Sequence, residues 1–151
     1  MVIQRIQTLY LLIAIILMAV FAFLPALVLY PDGGEAVRYG ALQTGQLGAT
    51  HVDPLLLVLV VLIIFLAIVD IFQYRNLPRQ MTLCFVDIII ALAMLVAIGI
   101  QAFVLKEQFP GVKIHGCMGN LLPVGAIVMM MLAHHAMSRD RKKLIDSDRL
   151  R

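Results

Sequence analysis

Two aspartates lie inside apolar segments of the chain, where an ionisable side chain is costly and by default suggests a functional site. Asp70 falls near the end of the second apolar segment, and Asp87 lies about two turns into the third. Counted from the turn between these segments, Asp87 should lie roughly 7 Å deeper in the membrane than Asp70. The predicted partners at the same level are Arg5, Arg75, Arg79, and His134 or His135.

This predicted polar cluster has two interpretations. A proton or cation relay is one, because ionisable groups inside membranes mark such pathways. The other is a structural ion-pair cluster that locks one end of a helix bundle. We favour the second, because two carboxylates at one end make no path across a membrane. Arg5 and Gln7 lie at the same level, where the first apolar segment begins. We expect one of the two to turn inward and complete the cluster.

The third apolar segment carries a stripe that includes Asp87. Its members recur at spacings of four, three, four and three, and they are Asp87, Ala91, Met94, Ile98 and Gln101. Residues at these spacings share one face of a helix. That face should point into a bundle, since lipid would penalise Asp87 and Gln101. It could line a polar cavity, or it could form an ordinary interhelical seam in which Gln101 bonds to a neighbouring helix.

A basic cluster directly follows the fourth apolar segment: Arg139, Arg141, Lys142 and Lys143. Such clusters attract anionic lipid headgroups and also fix the orientation of a membrane protein. Three aspartates in the same tail dilute the positive charge, and no aromatic residues alternate with the cations. We therefore expect lipid contacts here and no nucleic-acid partner.

No arrangement typical of an enzyme is present in the sequence. The chain has no GxSxG elbow, no P-loop, no HExxH helix and no CxxC pair. His115 and Cys117 are separated by one residue, and this spacing, even with His51 added, matches no known metal-ligand pattern. The sequence therefore predicts no catalytic residues, no cofactor and no metal site.

The elements that position these residues are four long apolar segments. The chain is 62% hydrophobic and 14% charged, with a mean hydropathy of +0.99, whereas soluble domains are about half apolar and a quarter charged. We predict an all-α bundle of four transmembrane helices in one domain, at about residues 6–30, 54–73, 80–105 and 121–138, with a basic tail over 139–151. The first segment is too long for a signal peptide and lacks a clean cleavage site, so it should be a retained anchor.

The segments between the helices predict both orientation and a small cap. Nine Lys and Arg residues fall in the N-terminus, the middle turn and the tail, against three in the other two loops. By the positive-inside rule, both termini should be cytoplasmic and the two longer loops external. The stretches EAVRYGAL and GVKIHG in those loops are candidate strands of a two- or three-stranded cap.

Several stretches resemble one family. They are the start IQRIQTLYLL, the segment LCFVDIII, the fourth apolar segment LLPVGAIVMMMLAHHAMSRD and the ending DRLR. Together they resemble a Bacteroidetes family of small four-helix integral membrane proteins with no assigned function. The resemblance implies a four-helix fold in the bacterial inner membrane. It implies no reaction and no catalytic residue.

Two functional hypotheses follow from the sequence. The preferred one is a non-enzymatic inner-membrane protein that acts by association with another membrane protein, with itself or with lipid. The alternative is a small oligomeric transporter or ion-conducting subunit that uses the face carrying Asp87 and Gln101.

Overall fold

The computed structural model describes residues 2–30, 37–42, 54–73, 76–108 and 111–149. Within these ranges the chain forms four long helices, α1 (Val2–Phe23), α2 (Pro54–Phe72), α3 (Leu77–Gln108) and α4 (Leu121–Arg149). A short 3₁₀ turn, Met118–Asn120, leads into α4. All four helices are long and apolar enough to cross a membrane, which confirms the predicted all-α transmembrane bundle.

The helices pack in a ring, with α1 against α2, α2 against α3, α3 against α4 and α4 against α1. Each contributes a stripe of buried side chains to one apolar core, including Met18, Ile63, Met94 and Met130. The opposite faces are also apolar: α2, for example, exposes Val58, Phe65 and Phe72. A helix that is apolar on all sides suits a bundle surrounded by lipid rather than by water.

Helix α1 ends earlier than predicted, and this corrects the expected range of residues 6–30. It stops at Phe23, and the amide of Leu24 donates to the carbonyl of Phe21 at 3.0 Å. Pro25 follows, and the residue before a proline is pushed out of helical geometry. The apolar run then continues as strand β1, Leu27–Tyr30, although the sequence predicts these residues as part of the helix.

Three strands form a small antiparallel sheet at one end of the bundle, in the order β2–β1–β3. Strand β2 is Val37–Tyr39 and strand β3 is Lys113–Gly116, so both predicted strand candidates are confirmed. Val28 of β1 lies opposite Arg38 on one side and His115 on the other. The central strand is thus the one that the sequence did not predict.

The ends of α3 and α4 also differ from prediction. Helix α3 extends beyond the expected 80–105 at both ends, and Pro78 lies in its first turn, where a missing N–H costs nothing. The tail expected from residue 139 is not a separate segment, because α4 continues through it to Arg149. No glycine or proline occurs between Ala126 and Arg149 to interrupt the helix.

Candidate functional site at the polar end of the bundle

The end of the bundle opposite the sheet holds all the buried polar side chains found in the described part of the chain. They lie where α1 begins, α2 ends and α3 begins, and they are Gln7, Asp70, Gln80 and Asp87. We call these four residues the polar layer. Three of its members, Gln7, Asp70 and Asp87, belong to the predicted cluster. The structure places Asp70 and Asp87 near each other and near the thiol of Cys84.

Asp70 and Asp87 are 1% and 2% exposed. None of their four carboxyl oxygens accepts a hydrogen bond from a group in the described residues. The two carboxyl groups lie close enough to interact electrostatically with each other and with Cys84. A buried polar group without a partner is costly, and a buried charge is more so. Among the described residues, this pair is therefore a costly polar feature of the core.

The predicted basic partners do not reach these carboxyl groups in the described part of the structure. Arg79 is exposed. His134 is half-buried and places its ring against Phe85, with 6.2 Å between the ring centroids. His135 is exposed. The predicted contributions of Arg5 and Arg75 lie outside the described side chains.

Gln80 and Cys84 belong to the site but were not predicted. The side-chain amide of Gln80 donates to the main-chain carbonyl of Asp70 at 3.2 Å. This carbonyl also accepts from the amide of Gln73 at 3.1 Å, so the contact joins the start of α3 to the end of α2. The thiol of Cys84 donates to the carbonyl of Met130 at 3.4 Å and joins α3 to α4. Both residues continue the stripe of Asp87 toward the N-terminus at spacings of four and three. Extending that pattern by seven residues would have found them.

Gln7 turns inward, and the sequence predicts this for either Arg5 or Gln7. Its hydrogen-bond partner, however, is not one of the two buried aspartates. Its side-chain amide donates to Oδ2 of Asp140, which belongs to the charged extension of α4. The bond joins the first turns of α1 to the last turns of α4. In the sequence, Asp140 is one of the three aspartates that dilute the positive charge of the basic tail. The sequence gives no local signal for this pairing, because 133 positions separate the two residues.

We expect Gln7→Leu to loosen the end of α4. The substitution leaves Asp140 without its buried donor, and a hydrogen bond to a charged group contributes about 1.5–3 kcal/mol. Amide hydrogens of residues 139–146 should then exchange at least tenfold faster in hydrogen-exchange mass spectrometry. Thr82→Val is the control, because it removes an exposed side-chain bond to Pro78 and should leave this region unchanged.

The stripe on α3 points into the bundle, as its spacing indicated. Between its two polar ends, Ala91, Met94 and Ile98 are buried in the apolar core. Gln101 is half-buried near the sheet end and has an interaction partner there. The middle of this face is thus a packed seam.

The basic cluster divides into two groups. Arg139 and Lys143 line a cleft of about 340 Å³ between α1 and α4, together with His135 and Asp140. Apolar and aromatic side chains form the rest of its wall: Ile6, Tyr10, Leu132 and Ala136. Arg141 and Lys142 are exposed on the same helix but are not part of this lining.

Comparison with known proteins places the chain in a family. Residues 3–150 match the family described as a domain of unknown function (DUF4293), so the chain belongs to it. No curated protein and no solved structure matches the chain. The match over nearly the whole length confirms the predicted membership of a family without an assigned function.

Proposed function

We propose that this DUF4293 member is a non-enzymatic protein of the bacterial inner membrane that acts by association with lipid or with another membrane protein. The polar end would face the cytoplasm, with both termini on that side. The distribution of Lys and Arg supports this orientation, because nine of twelve fall in the segments at that end.

One observation carries the proposal of association over transport. The polar layer is separated from Gln101 by apolar side chains that are closely packed in the core, with Ala91 and Met94 fully buried. An ion or polar solute would need a hydrated path through this region, and burying a charge in an apolar medium without partners is prohibitive. A protein built this way is better suited to hold a partner than to conduct.

The alternative, a transporter or ion-conducting subunit, also has a supporting observation. Asp70 and Asp87 bury four carboxyl oxygens without a hydrogen bond from any described residue. Unpartnered carboxyl groups inside a membrane are typical of proton and cation sites. On this hypothesis the bundle would open to connect these residues with Gln101.

Flux measurements distinguish the two functions. The purified protein is reconstituted into vesicles that contain a pH-sensitive dye, and proton and K⁺ fluxes are followed after a pH jump. We expect the flux of the wild type to equal that of protein-free vesicles, and Asp87→Asn to change nothing. Asp146→Asn is the matched control, since Asp146 is exposed on the extension of α4.

Purification in a mild detergent provides the second arm. Association predicts that a stoichiometric membrane protein or a tightly held lipid is recovered with the chain. A flux that Asp87→Asn abolishes while Asp146→Asn preserves it would establish the transporter instead. A bare monomer with no lipid preference would overturn the proposed association.

A further inference from the structure

The cleft between α1 and α4 combines charge and apolar surface in a way that selects one kind of ligand. Helix α4 runs toward the polar end and α1 starts there, so the two walls are antiparallel. The charged side chains of the lining, Arg139, Asp140 and Lys143, therefore lie toward the polar end. Tyr10 and Leu132 line it toward the middle of the bundle.

His135, Arg139 and Lys143 are spaced by four residues each, so they follow one another along a single face of α4. All three line the cleft. Arg139 comes 18 residues after Leu121, which places it about 27 Å along the helix, near the far boundary of the hydrocarbon layer. We therefore expect the cationic groups to lie at the level of lipid phosphates.

We propose that this cleft binds the headgroup of an anionic glycerophospholipid with free hydroxyl groups, of the phosphatidylglycerol type, from the leaflet at the polar end. Arg139 and Lys143 contact the phosphate, and the exposed His135 provides a further nitrogen for hydrogen bonding. The acyl chains lie along Ile6, Leu132 and Ala136. The proposal deepens the proposed function by naming lipid as the associated partner.

Asp140 explains why a hydroxylated headgroup fits better than a simple anion. It lines the cleft with the two cations, so the formal charge of the lining is +1 when histidine is neutral. Gln7 donates to Oδ2 of Asp140, and the carboxylate retains further capacity to accept from a headgroup hydroxyl. Phosphatidylcholine carries a quaternary ammonium with no N–H or O–H donor, and it cannot make that bond.

Lipid binding is measured on the full chain in nanodiscs by native mass spectrometry, with phosphatidylglycerol in competition with phosphatidylcholine. We expect the wild type to retain phosphatidylglycerol preferentially. Arg139→Gln with Lys143→Gln should lower this preference about thirtyfold, because each substitution removes a charge-assisted hydrogen bond from the cleft to the phosphate.

The chain offers a matched control. Arg141→Gln with Lys142→Gln removes the same charge from the same helix at exposed positions that do not line the cleft. It should lower the preference less than threefold. Ala136→Leu fills the cleft without changing its charge and should also release the lipid. The circular dichroism spectrum of the Ala136→Leu variant tests whether its helices are retained.

Specific outcomes would overturn the proposal. One is an equal loss of preference in the two charge pairs, which would indicate a diffuse surface attraction. Another is displacement of the lipid by millimolar inorganic phosphate, which would indicate a phosphate site without a lipid requirement. Absence of any preference in the wild type would also overturn it. None of these results would indicate ion transport. The proposed function, association in the membrane, would therefore still stand if a protein partner is recovered.

Discussion

Asp87→Asn should make the bundle more resistant to unfolding. Asp87 is buried, and its carboxyl oxygens receive no hydrogen bond from a described group. Asparagine has nearly the same shape but no charge, so the cost of burying a charge disappears while an unsatisfied polar group remains. We expect a gain of about 1–3 kcal/mol in the free energy of unfolding.

Thermal unfolding in detergent, followed by circular dichroism, measures this effect. Asp146→Asn is the control, and its midpoint should remain within the error of the wild type because Asp146 is exposed. A marked loss of stability in Asp87→Asn would have a definite meaning. Breaking a buried ion pair by removing one partner costs about 3–5 kcal/mol, so that result would show that the predicted ion-pair lock exists.

Gly40→Ala should destabilise the junction between the sheet and the bundle. A Cβ at this position would lie 2.9 Å from the carbonyl oxygen of Leu24 and 3.2 Å from Cα of Pro25. Both atoms are backbone, and they belong to the turn that ends α1, so neither can move without shifting that turn. Overpacking of this kind costs about 1–3 kcal/mol.

Gly99→Ala is the matched control, with an effect of the opposite sign. A Cβ built there would meet no atom within 4 Å beyond its chain neighbours and the backbone of its own helix. The residue is inside α3, where alanine is more favourable than glycine by about 1 kcal/mol. The two variants are compared by their unfolding midpoints in the same detergent. Equal shifts of the same sign would show that the packing around Gly40 does not limit stability.

Much of the candidate site could be read from local patterns. The spacing of Asp87, Ala91 and Met94 placed them on one face of α3, and the cost of exposing a charge to lipid directed that face inward. The same pattern also contained Gln80 and Cys84. The partner of Gln7 could not be read in this way, since Asp140 comes from the opposite end of the chain and no periodicity relates the two.

The sequence alone determined that the chain has four segments long and apolar enough to cross a membrane, and that Asp70 and Asp87 lie toward the same end of them. Both follow from the length of apolar runs and from the cost of exposing charge to lipid, and these are local properties. Only the tertiary structure decided that the first run ends at Phe23 and continues as the central strand of a sheet. A continuous apolar run suits a helix or a buried strand equally well.

Tertiary structure also decided the partners of the polar groups. It directs Gln7 to Asp140, turns His134 toward Phe85, and buries Asp70 and Asp87 without a hydrogen bond from any described residue. It divides the basic cluster so that Arg139 and Lys143 share a cleft with α1. These contacts depend on how four helices rotate against one another. That rotation is set by the packing of the whole core, and no single segment contains enough information to predict it.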